Sequence, residues 1–143
     1  MARGKLDSHA VLTITTKSPY AVRALTELAR IGNAGPVPIG ELARRRDIPV
    51  QFLEGLFATL RRAGILQSQR GVKGGYSFAR SPAEVTVLEV VDLLEGELGA
   101  EAIAAGGVWA DAAKALREQL ADVTIADVAQ REAREAGAQM YYI

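Results

Sequence analysis

The side chains best placed to do chemistry here are cations and hydrogen-bonding groups rather than nucleophiles. Arg70 and Lys73 flank glycines in Arg70-Gly71-Val72-Lys73-Gly74-Gly75, and a second set, Gln51, Glu54, Arg61 and Arg62, recurs at helical spacing just upstream. Catalytic or metal chemistry has little to work with. The chain has no cysteine, which excludes disulfides, thiolate catalysis and cysteine-ligated zinc or iron–sulfur sites. Its one histidine, His9, lies in the N-terminal leader and reads as solvated, so no nucleophile, base and orienter can be assembled. No catalytic residue, metal or cofactor is therefore expected. The glycine-rich stretch is not a phosphate loop either: it lacks the Gly-x-x-x-x-Gly-Lys-Ser/Thr spacing, and Tyr76 and a strand follow it instead of a helix.

What cations can do is bind a polyanion, and their distribution favours that. The net charge of zero conceals two halves of opposite sign: residues 1–80 hold thirteen Lys/Arg against five Asp/Glu, and residues 81–143 hold four against twelve. Lys or Arg placed on phosphates releases condensed counterions, so the basic half is the face expected to meet nucleic acid, with the acidic half turned away.

These groups need elements to hold them. Ser18-Pro19 reads as the N-cap and first residue of an amphipathic helix carrying Tyr20, Val22, Leu25, Leu28 and Ile31, stopped by Gly32 to Pro36. A short helix over 39–46 follows, broken at Asp47-Ile48-Pro49, and a third runs over 49–63 on Phe52, Leu53, Leu56, Phe57 and Leu60, closed by Gly64. Residues 65–70 and 76–79 then form hairpin strands around the glycine-rich connection. Two helices joined by a tight turn, with a hairpin after the second, is the geometry that places a recognition helix in a major groove. That helix would present Gln51, Glu54, Gly55, Arg61 and Arg62; the bland alternative is an ordinary solvated face. Arg70 and Lys73 fit a wing that follows the backbone or enters the minor groove. Lys17 and Ser18 sit at a helix N-terminus, which favours phosphate oxygens. The run Arg44-Arg45-Arg46 stays open between solvated surface and phosphate contact.

Beyond Ser81-Pro82 the pattern is helical. Thr86 with Glu89 matches a capping box for a helix ending at Gly96, 97–107 reads as small and flexible, and Val108, Trp109, Ala112, Ala113, Leu116 and Leu120 share one face of a long helix, with Val108, Trp109, Ala112, Leu116 and Leu120 suited to dimerisation. Thr124 with Asp127 starts a shorter helix through Glu135, after which Gly137 releases an apolar tail, Met140-Tyr141-Tyr142-Ile143. The expected class is mainly α with a small β-hairpin. It divides into a flexible leader (1–11), a winged helix-turn-helix (12–81), a helical dimerisation and regulatory region (82–137) and the tail (138–143). No apolar run is long enough to span a bilayer, and the leader has no signal-peptide core, so a cytoplasmic protein without membrane association is expected.

Three segments carry a family resemblance. Thr15-Thr16-Lys17-x-x-Tyr20-Ala21-Val22-Arg23-Ala24-Leu25, Phe52-Leu53-Glu54-x-Leu56-Phe57-x-x-Leu60-Arg61-x-x-Gly64 and Arg70-Gly71-x-x-Gly74-Gly75-Tyr76 resemble the Rrf-two-type winged-helix transcriptional regulators. The resemblance spans residues 12 to about 135. It implies a homodimer on a partly palindromic operator, with the helix near 108–123 crossing its mate and DNA contacts from Lys17, Ser18, Tyr20, Gln51, Glu54, Arg61, Arg62, Arg70 and Lys73. Within the family, Glu54 matches a glutamate that contacts bases, consistent with a carboxylate accepting from cytosine N4. Gly55 replaces the usual polar residue, which leaves the operator open, and Phe52 stands where tyrosine is common. Cluster-sensing members carry three cysteines between positions equivalent to Gly96 and Trp109, and this chain has none. It therefore resembles the branch repressing cysteine metabolism, in which C-terminal isoleucine tails are captured by cysteine synthase. The tail either enters such a pocket or packs on its own dimer. Two other readings remain: a protein-interaction adaptor on the same scaffold, and a repressor sensing an unrelated metabolite.

Overall fold

The computed structural model describes residues 12–141, without the side chains of Asn33 and residues 139–141. The leader, His9, Tyr142 and Ile143 lie outside the described residues. Helix α1 (Lys17–Ile31) leads through a 3₁₀ turn (Gly32–Ala34) to α2 (Ile39–Arg46) and α3 (Val50–Arg62). Strands β1 (Leu66–Gln69) and β2 (Gly75–Phe78) pair antiparallel, with Leu66 opposite Phe78 and Gln69 opposite Gly75. Four helices complete the chain: α4 (Val87–Glu95), α5 (Ala100–Ala105), α6 (Gly107–Ala121) and α7 (Ile125–Tyr141). The mainly helical class with one hairpin is as expected. Among the described residues, no helix is long and apolar enough to cross a membrane.

The apolar periodicity of α1 and α3 becomes the centre of the core. Leu25, Leu53, Phe57 and Leu60 are fully buried there. Val85, Val90 and Ile125 belong to the same cluster, so residues on both sides of Ser81-Pro82 share one core. Asp47, the turn residue between α2 and α3, is left-handed at φ 54°, a conformation that aspartate tolerates better than most residues.

The hairpin is held by more than its own ladder. Val37 N–H donates to the Tyr76 carbonyl at 2.9 Å, and Tyr76 N–H donates to the Val37 carbonyl at 2.8 Å. The α1–α2 connection thus supplies one residue of a third strand. Gly75 makes this possible: at φ 149°, an added Cβ would lie 2.3 Å from the Val37 carbonyl carbon. Phe57 then packs its ring edge-on against Tyr76, centroids 5.1 Å apart, joining α3 to the wing.

Four expectations are corrected by contacts distant in sequence or by small residues. Helix α1 begins at Lys17, two residues before the expected first residue Pro19, so Ser18 lies inside the helix and is not its cap; Thr16 at the cap makes no side-chain bond. Residues 97–107 are not a flexible stretch: alanines 100, 102, 104 and 105 are good helix formers and make α5, delimited by Gly99 at φ 78° and Gly106 at φ 76°. Thr86 caps α4 by accepting from Glu89 N–H at 3.1 Å, but the Glu89 carboxylate is bound by Arg80 at 2.6 Å and does not turn back to close the box. The Thr124–Asp127 box is reciprocal, at 2.9 and 3.0 Å. The helix it starts does not release at Gly137 but continues to Tyr141, carrying the backbone of Met140 with it. A mid-helix glycine costs about 1 kcal/mol against alanine, and its neighbours Ala133, Ala136 and Ala138 absorb it.

Candidate nucleic-acid interface

Helix α3 turns Leu53, Leu56, Phe57 and Leu60 inward, which leaves Gln51, Glu54 and Gly55 exposed on the opposite side. Arg61 and Arg62 are also exposed. Arg61 Nη1 reaches Ser68 Oγ on β1 at 3.4 Å, and Arg62 Nη2 reaches Thr59 Oγ1 at 3.2 Å, so neither cation is neutralised by a carboxylate. At the wing, Gly71, Val72 and Lys73 form the exposed tip, with Arg70 exposed beside it. An added Cβ on Gly74 would lie 2.1 Å from the Gln69 carbonyl oxygen, so the tip closes only with glycine there. Val72 at this tip is fully exposed, a residue that the reading of the sequence did not single out; its place between Gly71 and Lys73 is the signal that could have found it. An apolar side chain held out between a glycine and a cation is the kind of group that wedges into a minor groove.

The five cations Lys17, Arg61, Arg62, Arg70 and Lys73 are exposed, and none takes part in an ion pair among the described residues. The basic charge of residues 1–80 is otherwise partly spent internally. Arg45 binds Glu27 and Glu41, Arg46 binds Glu27 and Glu132, Arg30 binds Glu132 and Arg80 binds Glu89. For two members of the Arg44-Arg45-Arg46 run, the open choice between solvent and phosphate is thus answered by intramolecular carboxylates; Arg44 is exposed.

Ser18 is a correction. It is 3% exposed, and its hydroxyl donates to Glu95 Oε2 at 2.8 Å, so it faces α4 rather than a phosphate. The same carboxylate accepts from Thr15 N–H at 3.0 Å and Ser18 N–H at 3.3 Å, occupying the start of α1 with an internal anion. Burial raises the Glu95 pKa, but the hydrogen bonds from Ser18 and Thr15 outweigh it and hold the carboxyl below its ordinary value. Lys17, next in the chain, stays exposed. Tyr20 is half-buried, its ring edge-on to Phe52 at 5.5 Å with the Arg23 guanidinium over it at 4.9 Å.

Helix α6 is oriented by Arg117, whose guanidinium spans both oxygens of Asp92 on α4 at 3.0 and 2.9 Å and also donates to the Leu98 carbonyl at 2.8 Å. Asp92 and neighbouring charges raise the Arg117 pKa, led by the Asp92 hydrogen bond, so the cation persists at any working pH. Ala113 does not share the expected face: it is turned inward with Ala110, while Val108 (69% exposed), Trp109 (57%) and Ala112 face outward, and Leu116 and Leu120 are half-buried.

A helix-turn-helix with an exposed recognition face, braced by a β-wing, defines the winged-helix class of nucleic-acid-binding proteins. Residues 14–131 match the Rrf2 family, described as an iron-dependent transcriptional regulator, and the chain belongs to that family. Among curated relatives, the regulator IscR of Cereibacter sphaeroides is 37% identical over 114 residues, covering 76% of this chain and 74% of the relative. The regulator CymR of Bacillus subtilis is 30% identical over 138 residues, covering 92% of this chain and all of the relative. The solved structure of CymR, the global cysteine regulator of B. subtilis, superposes with a TM-score of 0.75 at 31% identity, over 84% of this chain and 98% of that one. The chain is a transcriptional regulator of this family, and its lack of cysteine fits the CymR-like branch.

Proposed function

We propose that the chain is a homodimeric, sequence-specific DNA-binding repressor of genes of sulfur and cysteine metabolism, working without an iron–sulfur cluster. The observation that carries the DNA reading is the exposed set Gln51, Glu54, Arg70 and Lys73 on α3 and the wing, with cations that no carboxylate neutralises among the described residues. Glu54 decides specificity. Among the described residues its side chain makes no hydrogen bond or ion pair, and a carboxylate approaching phosphates is repelled unless it meets a donor such as cytosine N4–H₂. A bidentate or close base contact of this kind discriminates by about 1–3 kcal/mol against the wrong base. Gln51 serves as a second base reader; Lys17, Tyr20, Arg61, Arg62, Arg70 and Lys73 bind the backbone or the minor groove.

The dimer reading rests on the outward apolar face of α6, where Val108, Trp109 and Ala112 need cover and Leu116 and Leu120 extend the same strip. The sulfur assignment is supported by the CymR relative and by the absence of cysteine. Capture of cysteine synthase by Met140, Tyr141, Tyr142 and Ile143 is part of the same proposal. Deleting Tyr142 and Ile143 is then expected to abolish capture of cysteine synthase in a pull-down; unchanged capture overturns that part.

For DNA binding, the test is a gel-shift on the promoter upstream of the chain's own gene. Glu54→Ala should lose preference for that duplex over an unrelated one, and Arg70→Ala should weaken binding to both. If neither substitution changes binding, this interface is wrong. A protein-interaction adaptor on the same scaffold predicts no steep fall of DNA affinity with salt.

A further inference from the structure

The C-terminal helix α7 is tied to the helix-turn-helix by charge. Arg46, the last residue of α2, donates from Nη2 to Glu132 Oε1 at 2.6 Å and from Nη1 to Glu132 Oε2 at 3.1 Å, a two-pronged pair with α7. Its Nε donates to Glu27 Oε1 on α1 at 2.8 Å, and Arg30 on α1 also reaches Glu132, at 3.2 Å. The Arg46 side chain is 16% exposed and that of Glu27 11%, while Glu132 is partly shielded at 30%. In such surroundings a forked arginine–carboxylate pair is stronger and more directional than a surface ion pair.

From Arg46 the contacts lead on to the recognition helix. The Arg46 carbonyl accepts from Arg23 Nη2 at 3.4 Å. The Arg23 guanidinium lies over the Tyr20 ring, and Tyr20 meets the Phe52 ring edge-on in the first turn of α3. Arg46 also directly precedes left-handed Asp47, which sets the angle between α2 and α3. An ion pair needed only for stability could join α7 to any part of α1. This one reaches the residue from which the turn starts, and the next residues in line flank Gln51 and Glu54.

We propose that Glu132 is a positioning residue for DNA recognition: acting through Arg46 and the contacts Arg23, Tyr20 and Phe52, it sets α3 from α7, so that whatever engages the end of α7 is felt at the base-reading face. This deepens the DNA-binding reading and rests on it. The proposal is a contiguous network from residue 132 to residue 52, and substitutions in such networks shift coupling by about 0.5–2 kcal/mol, or about two- to thirtyfold.

The experiment uses the full chain with Glu132→Gln, Arg46→Gln and the double variant, and measures affinity for the duplex from its own promoter and for an unrelated duplex of equal length at fixed salt. Glu132→Gln is expected to lower the preference for the promoter duplex about three- to tenfold while affinity for the unrelated duplex changes less than twofold. The double variant should lose no more than Arg46→Gln alone, because the two residues act as a unit. A merely structural ion pair would instead weaken both duplexes together, and that outcome overturns the proposal. In parallel, amide spectra of DNA-free Glu132→Gln should show displaced signals at Phe52 and its neighbours in α3; signals displaced only in α7, α2 and α1 also overturn it. Should the unsubstituted chain show no preference for the promoter duplex, the DNA reading fails and the amide spectra decide the positioning role alone. If Glu132→Gln does not fold, Arg23→Gln, which cuts the same route while leaving the ion pairs intact, should give the same loss of preference and the same Phe52 displacement; its absence is equally fatal.

Discussion

Removing the two wing cations should change the salt dependence of DNA binding by a calculable amount. Each chain presents Lys17, Arg61, Arg62, Arg70 and Lys73 exposed and unpaired among the described residues, so the proposed interface of a two-chain complex counts ten cations. Each phosphate contact contributes about −0.9 to the slope of log K against log salt, giving about −9 for the parent dimer. Arg70→Ala with Lys73→Ala removes two contacts per chain, four per dimer, and the slope should fall to about −5. Between 50 and 200 mM salt the parent should lose about 10⁵-fold in affinity and the double variant about 10³-fold. Fluorescence anisotropy with a labelled promoter duplex, repeated at five or six salt concentrations, reads both slopes. Arg45→Gln is the control, because Arg45 is bound by Glu27 and Glu41 and should leave the slope unchanged. A double variant whose slope differs from the parent's by less than about one would refute the placement of the wing on phosphates.

Three further outcomes follow from the same contacts. Gly75→Ala places a Cβ against the Val37 carbonyl at a backbone angle that L-residues avoid, and should destabilise by roughly 3 kcal/mol, lowering the melting temperature by about 10 °C in a thermal melt. Trp109→Asp introduces a charge on the outward face of α6 and should convert a dimer to monomers in sedimentation; an unchanged dimer would show that another surface pairs the chains. Glu95 is held below its ordinary pKa, so its ionised form stabilises the fold at pH values above the unfolded range and that contribution is lost as pH falls through the folded value. Glu95→Gln should therefore be less stable than the parent at neutral pH, with the gap closing in acid; a gap independent of pH would mean the carboxylate charge is not what holds the start of α1.

Much of this was legible in the residues because it is local. The period of Leu53, Leu56, Phe57 and Leu60 defines α3 and, by subtraction, its exposed face. The glycines at 71, 74 and 75 mark the hairpin: an added Cβ would clash at Gly74 and Gly75, and Gly71 sits at φ 110°, where L-residues are strained. What was not legible depends on partners far along the chain. Ser18 looks like a helix cap until Glu95, 77 residues later, takes its hydroxyl. Arg46 looks like part of a solvated basic run until Glu132, 86 residues later, binds it. The pairing of Val37 with Tyr76 leaves no pattern in either segment, since one residue is too short to show alternation. Helix α5 and the extension of α7 past Gly137 were hidden for another reason: alanine and glycine read as flexible by composition, while alanine is also the best helix former.

The central claim is that α3 reads bases and the wing holds the backbone. Selection of bound duplexes from a random pool by the purified chain, followed by sequencing, tests it most directly. The account predicts an enriched motif with two-fold symmetry, in which Glu54→Ala loses the preference at one position of each half-site and Arg70→Ala keeps the motif at lower affinity. A pool that shows no enrichment, or an Glu54→Ala chain that selects the parent motif unchanged, would contradict it.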